Sequence, residues 1–305
     1  MRTRKPVHYA ICALSTAAAV AAACRADTIS IVATRDNTLY ERSDGSTSNG
    51  AGPGVYAGTS FSGEEHRALV AFDLTPHIPT GSRVTAASLR LSVTRAQASP
   101  TPARVHRVLV SWGEGTSNAD LPGGQGAAAS VGDATWLHRF YPGTFWANAG
   151  GDFEATASAT TTVGGQDDYT WSDTPRLHED VQQWVDAPNA NHGWLVISEL
   201  VFEARSARRF ASREHPTAAL RPVLTVSFNL PTVPCSPADL VGPGGAGGPD
   251  GVTTVDDLVA FLAAFFASNA VLADVATLGA TAGEDGQITV DDLVYFLSMF
   301  FVGCP

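Results

Sequence analysis

Lysine is almost missing from this chain: Lys5 is the only one, and it stands at the extreme N-terminus. Downstream of it positive charge rests on arginine alone, which excludes a Schiff-base mechanism or a lysine general base there. Cysteine is scarce too. Cys12 and Cys24 fall in an N-terminal leader, so only Cys235 and Cys304 remain, and they bracket the last segment. Beyond the leader no run reaches the roughly 18 apolar residues that span a bilayer, so no membrane span is expected. Catalytic signatures are missing as well: there is no His-Glu-x-x-His, no Gly-x-Ser-x-Gly and no phosphate loop, and the eight histidines are scattered. Acid pairs such as Glu64/Glu65 and Asp167/Asp168 exist, but sequence does not say whether any pair faces a cleft. The chain reads as a binding protein and not an enzyme.

The leader itself is informative. Arg2, Arg4 and Lys5 precede an apolar stretch over residues 10–23 and a small-x-small site at Cys24-Arg25-Ala26, the pattern of an export signal over 1–26. The mature chain is expected to start at Asp27 and to be secreted or held at the cell surface. Lipid modification of Cys24 is the alternative reading of Ala21-Ala22-Ala23-Cys24. In an oxidising compartment Cys235 and Cys304 read as a disulfide that closes a loop of about 70 residues, stabilising it by roughly 4 kcal/mol.

Charge is unevenly placed within the net −11. From Cys235 onward there are eight aspartates and Glu284 but no lysine or arginine. Nucleic acid is not an expected partner.

Between residues 27 and 230, short alternating or β-branched runs are separated by Gly, Pro, Asn and Ser clusters. Runs at 29–33, 68–72, 88–93, 105–110, 194–198 and 223–228 predict strands, and their number predicts a mainly β fold, a jelly-roll sandwich. One stretch departs: Thr174-Pro175 followed by Leu177, Val181, Trp184 and Val185 has helical spacing and predicts one helix across the sandwich. Residues 231–234 read as a short stiff linker.

After the linker comes a repeat of period 35. Asp239 maps to Asp274, Asp250-Gly251 to Asp285-Gly286, and Thr254 to Val259 maps onto Thr289 to Val294, continuing through Phe261/Phe296 and Phe266/Phe301. Each copy predicts an amphipathic helix. The stripe of Leu258, Val259, Phe261, Leu262, Phe265 and Phe266, with its counterparts, predicts a mutual core between two antiparallel helices. The spacing from Gly251 to Asp257 is that from position 6 to position 12 of an EF-hand loop. In this, and in ending on Gly303-Cys304-Pro305, residues 235–305 resemble the dockerin duplication, a small α-helical EF-hand-like domain. The resemblance implies calcium at Asp239, Asp250, Asp257, Asp274, Asp285 and Asp292, and a cohesin-like or cell-surface protein as partner. It departs at loop positions 1 and 3, which hold Ala246 and Gly248 in one copy and Thr281 and Gly283 in the other. The aspartates read equally well as caps of helix N-termini.

The larger part resembles the DNRLRE family of secreted β-sandwich modules, which are related to carbohydrate-binding modules. The residues that carry the resemblance include Asp36-Asn37-Thr38-Leu39-Tyr40, Arg67 with Ala71-Phe72-Asp73-Leu74, Trp112-Gly113-Glu114, Asp180 to Trp184, Asn191-His192-Gly193-Trp194, Phe210-Ala211-Ser212-Arg213-Glu214 and Arg221-Pro222-Val223-Leu224. The resemblance implies glycan binding without a reaction. Sugar recognition wants flat aromatic faces beside planar polar groups, which selects Trp136, Tyr141, Trp146 and Trp171 in Gly/Pro-rich stretches, with plugging of the sandwich end as their other use. Arg205, Arg208, Arg209 and Arg213 form the one basic cluster, suited to a sugar carboxylate, with Glu203 and Glu214 as alternative partners. The expected function is binding of an extracellular, anionic polysaccharide, with the repeat as an attachment device. A structural surface protein without ligand, or a polysaccharide lyase or hydrolase, are the rival readings.

Overall fold

The computed structural model describes residues 26–96, 99–198, 206–230, 234–245 and 247–304. Residues 1–25, where an export signal is expected, Arg205, Glu203, Ala246 and residues 231–233 of the expected linker lie outside the described residues. The fold is mainly β, built on one large curled antiparallel sheet of eleven strands with few helices. From one edge the order is Ala26–Val32, Val223–Asn229, Arg83–Arg95, Arg208–Ala211, Gly54–Thr59, Glu65–Ala71, Trp194–Ser198, Thr101–Arg107 and Ala159–Val163. Arg35–Tyr40 pairs with Glu65–Ala71, and Asp168–Trp171 pairs with Arg83–Arg95. All six strands read from the sequence are present; Trp194–Ser198 and the end of Glu65–Ala71 are apolar on both faces, and others alternate. Val223–Asn229, for example, alternates buried and half-buried positions along its whole length.

Helix α1, Pro175–Asp186, follows the expected stripe. Thr174 caps it, its hydroxyl accepting from the Leu177 amide at 3.0 Å, and Pro175 occupies the first helical turn, where a missing N–H costs nothing. Leu177, Val181, Trp184 and Val185 enter the main core, where the Trp184 and Trp194 rings meet at 4.4 Å. Asp180 lies in the same buried stripe. Its Oδ2 accepts from Ser158 Oγ and from Trp194 Nε1, and its Oδ1 pairs with Arg107 at 3.1 Å. Burial pushes the Asp180 carboxyl above the usual range, against those donors.

A second core cluster is made by Leu39, Leu69, Trp112, Trp136, Trp146 and Leu195 with their neighbours. It exists because the long connection between Thr101–Arg107 and Ala159–Val163 folds back on the sheet and needs apolar side chains of its own to hold it there.

The C-terminal repeat forms helices α2, Val255–Phe266, α3, Ala270–Ala273, and α4, Val290–Val302. Its core is a separate cluster in which Phe261 and Phe296, equivalent positions of the two copies, stack at 3.9 Å. The stripe is narrower than expected. Val259, Phe266, Val294 and Phe301 were assigned to the mutual core but are exposed, the two phenylalanines at 81% each. Six apolar positions per helix exceed what one contact line between two short helices can cover. Cys235 and Cys304 lie at disulfide distance, with Cα atoms 5.2 Å apart. No helix of the described residues is long and apolar enough to cross a membrane.

Candidate binding cleft

The residues selected from sequence as a glycan-binding face do not form one. Trp171 is fully buried and donates from Nε1 to the Ala103 carbonyl at 2.8 Å. Trp146 is buried and donates to the Thr135 carbonyl at 2.8 Å. Trp136 is buried beneath the Arg67 guanidinium, 4.7 Å from its ring centroid. Only Tyr141 keeps a partly open ring, edge-on to His138 at 5.1 Å. The exposed-face expectation is thereby corrected: three of the four rings plug the fold. The Trp146 and Trp171 indoles each donate to a backbone carbonyl inside, and the Trp136 ring carries the Arg67 guanidinium on its face.

The basic cluster is likewise divided. Arg208 is 1% exposed, and its guanidinium donates to Thr101 Oγ1 and to the carbonyls of Ser99, Gly164 and Ser206. Arg213 grips Glu114 through Nε and Nη2 at 2.6 and 2.7 Å and lies 2.8 Å from Glu214. Its amide donates to Asp36, a fully buried carboxylate that burial, and then the nearby Glu214, push well above the usual range. Arg208 and Arg213 are therefore structural. Arg209 alone of the three described arginines borders an open cavity.

That cavity, a cleft of about 380 Å³, is the strongest candidate site. It was not legible from aromatic clustering, because its groups come from strands and one tight turn. Tyr56, Arg209 and Arg95 are register partners on three neighbouring strands. A shared register row puts their side chains on one face of the sheet. Gly58 pairs with His66 and Thr59 with Glu65, and the turn between them lifts Phe61 to 69% exposure on the rim. The far wall is the Pro122–Gly126 backbone, held down by the Tyr40 hydroxyl, which donates to the Gly123 carbonyl at 2.8 Å. Gly126 has φ 69°, and a Cβ there would meet Thr47 Cγ2 at 2.4 Å, so this close wall requires glycine.

Two atoms on this cleft, Thr59 Oγ1 and His66 Nδ1, are buried without a hydrogen-bond partner among the described residues, whereas the Tyr56 hydroxyl lies against Arg209. Burial raises the Tyr56 pKa, opposed by Arg209 and Arg95. Burial, assisted by Arg42, lowers that of His66 to about 4. His66 is 2% exposed. Its folded pKa lies below the unfolded value near 6.5, so the stability tied to the neutral ring is present above pH 6.5 and is lost as pH falls to about 4. The loss amounts to roughly 3 kcal/mol. Thermal melts at pH 7 and pH 4 are expected to differ by that much more in the wild type than in a His66→Gln variant; equal acid sensitivity of the two would refute the assignment.

The six aspartates proposed from the repeat do not converge in either copy. Among the described residues the acid or thiol groups that do meet are Asp36/Glu114/Glu214 and Cys235/Asp239/Cys304. Asp257 and Asp292 cap their own helices through reciprocal capping boxes with Thr254 and Thr289. Burial acts to raise Asp292, but the amides of Thr289, Ala276 and Val275 outweigh it and hold its carboxyl below the usual range. Compared with known protein families and with curated proteins, the chain matches none.

Proposed function

We propose that the protein is a secreted, noncatalytic binder of an extracellular, anionic polysaccharide. In this reading residues 27–230 form a jelly-roll module of DNRLRE type, and residues 235–305 a dockerin-like unit that attaches it to a protein partner through the exposed Val259, Phe266, Val294 and Phe301. The observation that carries the binding assignment is a cleft that holds two arginines, with Phe61 on its rim and the polar side chains of Tyr56, Thr59 and His66 in its lining. Sugar hydroxyls, able both to donate and to accept, suit a lining of mixed polar side chains. Arg95 and Arg209 favour a sugar bearing a carboxylate, and Phe61 offers a flat face. Among the described residues lining the cleft none is Asp or Glu, which speaks for binding over the paired-carboxylate chemistry of glycoside hydrolysis.

Phe61→Ala and Arg95→Ala are each expected to weaken binding of an acidic polysaccharide about tenfold, the equivalent of 1.4 kcal/mol. The thermal midpoint should be unchanged, and the Arg95 effect should shrink as salt rises. Calorimetric titration with acidic and neutral glycans is the measurement. Affinities equal to wild type in both variants would remove the cleft from the reading, and no binding to any glycan would favour a structural surface protein.

A second reading, a polysaccharide lyase, draws on the same cleft. Neutral His66 beside Tyr56, with Arg95 and Arg209 at hand for a uronate carboxylate, are groups suited to abstracting a proton α to that carboxylate. Formation of an unsaturated uronate by the wild type would favour it over binding alone.

A further inference from the structure

An EF-hand-type loop is organised around a cation, with oxygen atoms converging on its centre. Both loops of this repeat are organised the other way round. In the first copy Asp239, 1% exposed, accepts from the amides of Asp250 at 3.0 Å and Gly251 at 2.9 Å, and from that of Cys235 at 3.1 Å. Asp257, which stands where the loop's last ligand would be, is fully buried. Its Oδ1 accepts from the Leu240 and Val241 amides at 2.7 and 2.8 Å, and its Oδ2 from the Thr254 amide at 2.7 Å.

The second copy reproduces the pattern. Asp274 accepts from Asp285 and Gly286 at 3.1 and 2.7 Å. Asp292 accepts from Val275 and Ala276 at 2.8 Å each and from Thr289 at 2.7 Å. The remaining loop aspartates are engaged as well: Asp250 and Asp285 accept from the amides two residues on, and Asp256 and Asp291 from Gly244 and Gly279. The buried carboxylates of both loops thus already accept backbone N–H groups. Calcium needs six or more oxygens, and positions 1 and 3 contribute no carboxylate in either copy. The donor set does not fit the ion.

We propose that the duplicated unit is built around anions in place of cations: Asp239 and Asp274 gather the loop amides, and Asp257 and Asp292 tie the following helices to the preceding chain, so that the unit folds and works without calcium. The proposal rests on the dockerin-like reading only for the contrast with calcium, since the bonds are those of this chain whatever its relatives.

Amide hydrogen exchange on the full chain in EDTA tests the clamp without any variant. The amides of Asp250, Gly251, Asp285 and Gly286 should be protected, and addition of calcium should leave them unchanged. Fast exchange at these four that calcium suppresses would overturn the proposal. Calorimetric titration with calcium chloride, on the wild type and on an Asp250→Ala/Asp285→Ala double variant, supplies the second readout. A saturable heat that the variant loses would also overturn the proposal, whereas no heat, or a heat retained by the variant and hence arising outside the loops, supports it. Failure to capture a protein partner would count against the attachment reading alone.

Discussion

A Cys235→Ser/Cys304→Ser double variant is expected to lose about 4 kcal/mol of stability in the C-terminal repeat, the chain-entropy value for a closed loop of this size. The two residues are 69 apart in sequence and 5.2 Å apart in space, and the core between them rests on a few side chains around the Phe261–Phe296 stack. A small unit with so little apolar burial depends on a covalent closure, all the more if no ion holds its loops. The two parts of the chain can be followed separately, because all six tryptophans lie between Trp112 and Trp194. In a denaturant titration of the full chain the far-ultraviolet helix signal should shift to lower denaturant in the variant, or under reductant, while tryptophan fluorescence keeps its midpoint. A helix transition indifferent to reduction would show that the bridge contributes nothing.

Arg208→Ala is expected to destabilise the sheet by about 4 kcal/mol, because each buried acceptor left without its donor costs about 1–3 kcal/mol. The side chain holds Thr101 Oγ1 and the carbonyls of Ser99, Gly164 and Ser206 from three directions, and burial lowers its own pKa. Arg208→Lys should recover only part of the loss, since a compact ammonium cannot span the fork of acceptors that a guanidinium reaches. Glycan affinity per folded molecule should stay at the wild-type value in both. A variant of normal stability that no longer binds acidic glycans would return Arg208 to the binding site.

These two residues show how far local pattern reached. The approach of Cys235 and Cys304 to disulfide distance was legible because it depends only on a count: two cysteines beyond residue 25, flanking a duplicated unit. Arg208 was misread because, on a linear chain, four arginines in nine positions look like one patch. On a strand, successive side chains face opposite sides, so Arg208 points inward and its neighbour Arg209 lies on the cleft. The tryptophans were misread for a related reason. Gly- and Pro-rich surroundings normally mean surface, yet the long connection holding Trp136 and Trp146 folds back on the sheet and buries them as its own core.

The sequence by itself determined the mainly β character, the positions of the principal strands, the capped helix at Pro175–Asp186 and the duplicated pair of helices at the end, because periodicity and caps are local and survive without tertiary knowledge. Only the tertiary structure decided which polar and aromatic groups meet. Tyr56, Arg95 and Arg209 become neighbours through strand register alone, His66 acquires its lowered pKa only when Tyr40 and Tyr56 close over it, and Asp239 is marked as an anion clamp only by the amides that turn toward it. Register, burial and hydrogen-bond direction depend on contacts between residues far apart in the chain, and residue type and spacing carry no record of them.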